Sequence, residues 1–595
     1  MSGASIVTLL AVLLVVVGIS LLTRPRHSST VDFYLAGQRV GVATNSWAIC
    51  GDYLSAASFL GVAAAVYVSG LDGAWYAVGF AAGFIPVLLL VAAPLRRFGE
   101  FSLADFLGRR LGSEPVRLAT VGVIQLIILA YLVPQSVGGG ITWELLVGQG
   151  LLGLSPYATG VLISTAVVAA VVALGGMRGT TWNQAVQFLL LLMALIWLAA
   201  MVASDGFRYG GAVAELSREP LMNPAYTPEG WVLVPEVNQI DAGQPATFGE
   251  PGSRYGRLGQ VALVVTLAMG TAGLPHVMNR YFTAPTGKAA RTTTVWVLAL
   301  AGLFYALAVM LGAAARALIP GAVREHPWLE PLTVDGVLKI PEHALPVLGR
   351  IYGGEAGLGL VAAAALIAAM STVAGLLLAS AATWGHDVYE RHLNPRATQR
   401  QAVLAGRVTT LVAAALAAGL ALVLHPNAFT PALPSLVATM VTWAFAIAGS
   451  ALTPVLVLAI WWRRTTAAGA LAGLTTGTVL AVAMFTAGSL LPPSAGQELL
   501  ATPTLVTAPL ATLVIVLVSL RTRPPADVDS AWVLMHGTAA DRRAERLAEL
   551  TVGARPALPW RALPWRGRTD RQRTGEPTHE GLGDRRGRGL RGDLP

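Results

Sequence analysis

Charge is what this sequence has least of. Only 12% of its 595 residues are Asp, Glu, Lys or Arg, against 54% hydrophobic ones; an ordinary soluble domain carries about 25% charged residues. So few charges cannot cover a chain of this size in water, which excludes a soluble globular protein. Cysteine is scarcer still. The single Cys50 excludes an intramolecular disulfide and a cysteine-cluster metal site, and its apolar neighbours make it a small buried residue. No His/Glu metal motif and no nucleophile motif stands out, so no enzyme and no resident cofactor is expected. The net charge of +9 does not point to nucleic acid, because the positives fall in short connections on one side and in the tail.

What is present is a series of apolar runs, each near the roughly 20 residues that a bilayer crossing takes. By that criterion about 13 helices are expected: Ser5–Leu22, Val42–Ser69, Gly73–Ala93, Val116–Val147, Tyr157–Leu174, Trp182–Ala203 and Gly259–Phe282, then Thr292–Leu318, Gly357–Trp384, Arg407–Leu424, Leu436–Trp461, Ala467–Leu491 and Leu505–Leu520. The chain therefore reads as an all-α polytopic protein of the cell membrane, with the lipid bilayer as its first partner.

Alternate connections concentrate the arginines. One set carries Arg24, Arg26 and Arg39, then Arg96, Arg97, Arg109, Arg110 and Arg117, then Arg178, Arg280, Lys288 and Arg291. The opposite set is short and uncharged, or long and acidic as in Asp205–Gly256. Because positive connections stay inside, the N-terminus is expected outside and the C-terminus in the cytoplasm. Met1 to Ser5 lacks the positives that precede a cleaved signal's apolar core, so Ser5–Leu22 is expected to remain as a helix. The divisions that follow are an extra helix in 1–30, a core in 31–460, two further helices in 461–520, and a basic, largely disordered cytoplasmic tail in 521–595 with a short charged helix at Asp541–Leu550.

Two of the expected helices carry features that suit interruption. Val42–Ser69 contains Gly51, Asp52, Ser55, Ser58 and Gly61, and an intramembrane aspartate needs a partner or a water-lined cavity. Gly259–Phe282 contains Met269-Gly270-Thr271-Ala272-Gly273-Leu274-Pro275-His276, where Pro275 removes a helical donor. A straight helix packed through small residues and a simple proline kink remain the plainer alternatives. After the first helix, each set of five begins with one of these two. An odd number of helices per repeat inverts the second repeat in the membrane, and paired interruptions in matching positions point to a transporter's binding site.

In Gly357–Trp384, Ala368, Ser371 and Thr372 stand at i, i+3 and i+4 and so share a face. Their hydroxyls can bond back to their own helix, or they can join carbonyls freed at the first interruption to hold a hard cation such as sodium.

Taken in order, several stretches resemble the sodium:solute symporter family, and within it the cation/acetate symporters. They are Asp32-Phe33-Tyr34-Leu35-Ala36-Gly37, the run Gly51 to Gly61, Leu103-Ala104-Asp105-Phe106, Gly175 to Trp182, Gly270 to His276, His386-Asp387-Val388-Tyr389 and Ala444 to Ser450. The resemblance covers about Val31 to Leu520. It implies a LeuT-type core of two inverted five-helix repeats, with a sodium site built from the carbonyls of Gly51, Leu54 and Ala368 and the hydroxyls of Ser371 and Thr372. Proline-type members of the family place an aspartate where this chain has Tyr53, so Asp52 is left for structure, protonation or gating.

A solute site is expected between the interruptions, at Ser55 and Ser58 and, by the resemblance, at Ala268 and Thr271. Free helix N-termini there suit a carboxylate, and no cluster of polar side chains for a sugar ring is visible. The expected activity is sodium-coupled symport of a small monocarboxylate such as acetate by alternating access. Arg280 and Arg97 are expected to act in closed cytoplasmic contacts. The alternatives are a proton as coupling ion, another solute such as proline, pantothenate or pyruvate, and a transporter-like solute sensor.

Overall fold

In hydrocarbon every backbone N–H and C=O must find its partner within its own segment or in a closed barrel, and the apolar runs of this chain do so as helices. The structure is a computed structural model that describes residues 30–241, 243–423, 436–490 and 497–551, with a few isolated positions before residue 23. The expected helix Ser5–Leu22 and the tail past residue 551 lie outside the described residues. The compact transmembrane unit ends at Arg546.

Among the described residues nine helices are long and apolar enough to cross a membrane, and two bent pairs bring the count to eleven. The bent pairs are Val42–Tyr53 with Ala57–Ser69, at 68°, and Arg257–Gly273 with Pro275–Phe282, at 41°; they are called here the first and second broken spans. The expected helices Tyr157–Leu174 and Trp182–Ala203 form one continuous run, Pro156–Ser204, of 49 residues. At 1.5 Å per residue such a run is roughly 74 Å long, far beyond a hydrocarbon core of about 30 Å. It is folded at Gly176, whose φ of 55° and ψ of −159° are non-helical. A side chain there would also strike the ring of Phe33.

The helix starts follow local capping. Ser113 accepts a hydrogen bond from the Val116 N–H ahead of Glu114–Val147, and Ser155 accepts one from Ala158 ahead of Pro156–Ser204. Each satisfies a donor that the first helical turn leaves free. The helix expected from Gly357 begins earlier, as Ala344–Ala382, and turns at Gly354, with φ 56°.

The long acidic connection is not an open loop. Met222–Thr227 and Gly230–Pro235 pair as an antiparallel hairpin. Leu221 and Phe248 pack with Val66 of the first broken span and Ala313. The buried Asp72 carboxylate accepts the N–H groups of Gly252 (3.1 Å), Arg254 (2.9 Å) and Tyr255 (3.0 Å) and the Gln260 amide (3.1 Å). A carboxylate that gathers several backbone donors makes charge-assisted bonds, and here they pin the connection to the turn after the first broken span.

Within residues 521–551, two helices are present, Val528–His536 and Ala539–Thr551. The first buries Ala531, Leu534 and Met535, and Arg97 donates to the Met535 carbonyl at 3.3 Å.

Candidate ion and solute site

The first broken span loses its winding at Leu54–Ala56. Gly51 was expected to supply the break, yet it lies inside the helix Val42–Tyr53. Its role is close approach, since a Cβ there would run into the Gln184 carbonyl oxygen. The break redirects three donors, those of Ser55, Ala56 and Ser58. Ser55 N–H, the helical partner of the Gly51 carbonyl, donates instead to Tyr53 O at 2.9 Å. Ala56 N–H, the helical partner of the Asp52 carbonyl, donates to Gln135 Oε1 at 3.1 Å. Ser58 N–H donates to Ser55 O at 3.0 Å, an acceptor it shares with its regular helical donor Phe59 N–H at 2.9 Å, so the Leu54 carbonyl also loses its helical donor. A carbonyl stripped of its donor inside a membrane protein is tolerated where it lines a cavity or finds another partner.

For the Asp52 carbonyl that partner is Thr372, whose hydroxyl donates to it at 2.7 Å. The Ala344–Ala382 helix thereby lies against the break, with Ser371 and Thr372 fully buried. The Ser371 hydroxyl donates to the Ala368 carbonyl at 2.9 Å, a bond within its own helix. Of the expected ion ligands, Thr372 is thus held to the stretch between Gly51 and Leu54, and Ala368 and Ser371 lie on the same helix.

Arg280, on the second half of the second broken span, donates through Nε to Asp52 Oδ2 at 3.1 Å. The rest of the guanidinium donates to Thr181 Oγ1 (2.7 Å), to the Met177 sulfur (3.0 Å) and to Gln184 Oε1. Gln184 Nε2 then donates to the Ser371 carbonyl at 2.7 Å. One buried network therefore joins both broken spans, the Pro156–Ser204 run and the hydroxyl-bearing helix. Gly375 makes it possible, because any Cβ there would collide with the Asp52 carboxylate. Arg280 was expected at a closing contact near one membrane face; it is instead 1% exposed in the interior.

The second broken span turns at Leu274, with φ −68° and ψ 116°, and Pro275 opens its second half. Pro is suited to a first helical position because it has no N–H to satisfy there. Gly270 does not unwind; it is helical and packs against Phe445.

Of the expected solute residues, Ser55 and Thr271 are brought toward each other through Tyr53 and Tyr131. Tyr53 hydroxyl is 2.8 Å from Thr271 Oγ1, and Tyr131 hydroxyl is 3.5 Å from Ser55 Oγ. Ser58 turns to Tyr305 at 2.8 Å, and Ala268 is half-buried without a polar role. The rings of Tyr53, Phe80, Tyr131 and Phe445 close around the gap, with centroids 5.2 to 6.2 Å apart along Tyr53–Phe80, Tyr53–Phe445, Phe80–Phe445 and Tyr131–Phe445. Cys50 is buried as a free thiol.

Sequence reading passed over Thr181, Gln184, Tyr131 and Gln135, although a polar side chain within an apolar run is itself a signal.

A second cluster unites two distant motifs. Asp105 meets His386 and Asp387 with ligand atoms within 4.8 Å of one another, a spacing that suits a metal ion. Arginines already supply the positive charge: Arg117 is 2.5 Å from Asp105 Oδ1 and 3.5 Å from Asp387 Oδ1, and Arg391 is 3.1 Å from Asp105. Burial alone would raise the Asp105 carboxyl, but His386 and Arg117 hold it well below the usual carboxylate range. Glu100, buried beside it, is pushed up to about 8 by desolvation and by the Asp105 charge, in spite of Arg109.

Comparison with known proteins matches this architecture. The profile of the sodium:solute symporter family matches residues 33–477. The chain is 32% identical over 464 residues to a monocarboxylic acid transporter of Corynebacterium glutamicum, covering 76% of this chain and 78% of that one. It is 32% identical over 478 residues to the uncharacterized symporter YwcA of Bacillus subtilis, covering 79% of this chain and 84% of that one. Among solved structures it superposes on a substrate-bound, outward-open Na+-coupled sialic acid symporter with a TM-score of 0.68 at 16% identity, over 88% of this chain and 98% of that one. At that identity the likeness is one of fold, the LeuT-type arrangement.

Proposed function

The chain belongs to the sodium:solute symporter family, and on that premise we propose that it carries a short monocarboxylate, acetate being the representative case, together with sodium by alternating access. It is a multi-pass membrane transporter and not an enzyme. The observation that carries the reading is the loss of helical donors from the Gly51 and Leu54 carbonyls beside the Ser371 and Thr372 hydroxyls. Sodium is a hard cation that takes neutral oxygens, and carbonyls with hydroxyls supply them without a formal charge. Ala368 O completes the proposed set once Ser371 turns its hydroxyl away from it.

The solute class rests on the enclosure and on a relative. Aromatic rings of Tyr53, Phe80, Tyr131 and Phe445 close around the gap between the breaks, which suits a small solute. A protein 32% identical to this one over 464 residues is named a monocarboxylic acid transporter. In the proposed cycle sodium holds the first broken span against the Ala344–Ala382 helix and the solute binds beside it. The site then opens to the arginine-rich side, which the positive-inside rule assigns to the cytoplasm.

Uptake of radiolabelled acetate into proteoliposomes tests this directly. Saturable uptake that rises with an inward sodium gradient, and that propionate or pyruvate suppresses, is expected. Uptake indifferent to sodium would remove the ion assignment. Competition by proline but not by propionate would remove the solute assignment.

A further inference from the structure

We propose that Tyr131, Gln135 and His276 form the seat for the solute's carboxylate group, a role that rests on the monocarboxylate reading above. Gln135 is fully buried, and its Oε1 accepts the Ala56 N–H at 3.1 Å. That bond fixes which end of the amide is which, because only the oxygen can accept. The NH2 end therefore points away from the Ala56 N–H, and Nε2 has no hydrogen-bond partner.

Tyr131 lies four residues earlier on the same helix and so one turn away on the same face. Its hydroxyl reaches Ser55 only at 3.5 Å, longer than a well-formed O–H···O bond. His276 stands on the second broken span just after the break, 1% exposed, with neither ring nitrogen bonded. Its ring centre is 5.5 Å from that of Tyr131.

Three buried donors thus gather beside the first break with their bonding capacity unspent. Leaving such groups unpaired destabilises a fold, and the one structural task here, accepting the Ala56 N–H, uses only the oxygen of Gln135. A carboxylate accepts through about four lone-pair sites, which matches an amide NH2, a phenol and an imidazole N–H. An alcohol or an amide of the same size offers fewer acceptors.

The seat holds no formal positive charge, since Arg280 is taken by Asp52. The carboxylate's charge must then be balanced by the sodium ion at Gly51 and Leu54, and each ligand favours the other. That is a physical basis for coupling.

Gln135→Leu, Gln135→Glu and Tyr131→Phe test the seat in proteoliposomes, with 22Na+ binding to solute-free protein measured in parallel. Gln135→Glu keeps the acceptor for Ala56 N–H and serves where the leucine variant fails to fold; its charge should repel acetate. The expected result is an acetate KM raised at least about tenfold in each variant, with solute-free sodium binding retained. In the unaltered protein acetamide should fail to compete with acetate. Acetate KM values within about twofold of the parent, beside intact sodium binding, would overturn the seat while the monocarboxylate reading stands. A parent protein that does not take up acetate, propionate or pyruvate would instead remove the reading on which the seat depends.

Discussion

Arg280→Met should abolish uptake and lower the unfolding temperature of the purified protein. The change leaves Asp52 as an uncompensated carboxylate in a fully buried position. Removing one partner of a buried ion pair costs about 3–5 kcal/mol, whereas replacing both by neutral groups is often close to neutral. Asp52→Asn combined with Arg280→Met should therefore recover most of the lost thermal stability. Transport should stay low in the double variant, because the guanidinium also holds Thr181 and Gln184, and Gln184 holds the Ser371 carbonyl. A thermal-shift assay with parallel acetate uptake separates the two effects. Near-parental stability and uptake in Arg280→Met would show that the pair is dispensable.

The second large effect concerns the coupling ion. Ser371→Ala with Thr372→Ala removes two proposed ligands while changing the helix surface by no more than two hydroxyls and one methyl group. If each hydroxyl contributes about 1.5 kcal/mol to holding the cation, the pair amounts to ~3 kcal/mol, or about a hundredfold in the sodium concentration for half-maximal uptake. Thr372→Ala alone should be the more damaging single change, because its hydroxyl also satisfies the Asp52 carbonyl at 2.7 Å. Sodium titration of acetate uptake checks this, and an unchanged half-saturating concentration in the double variant would sink the site.

What could be read without coordinates was whatever declares itself on a single helix. Pro275, the acid at Asp52 and the adjacent hydroxyls Ser371 and Thr372 are each anomalous in an apolar run, and each marks a position that matters. What could not be read is which anomalies face one another. Asp52 and Arg280 lie 228 residues apart and Thr372 lies 320 residues from its carbonyl partner, and helical periodicity carries no information across such separations.

Local detail failed for a different reason. Gly51 and Gly270 looked like points of unwinding, but a missing side chain serves a close contact equally well, and here both glycines pack against neighbouring segments. The hairpin, and the Asp72 bonds that pin the end of the same connection, were hidden because an acidic connection between spans looks alike whether it is folded or open. Asp105, His386 and Asp387 appeared only as parts of separate motifs, and their meeting depends on where two helix ends happen to stop.

The Asp52–Arg280 pair has a bearing on how this carrier answers to voltage. An elementary charge driven through 100 mV exchanges about 2.3 kcal/mol with the field, so what matters is the sum of charges that travel together. The carboxylate and guanidinium cancel wherever the moving helices take them, and under the proposed function one sodium ion would cancel one acetate. A carrier so loaded would be electrically silent and run on concentration alone, and any steady current would count the sodium ions carried beyond the first.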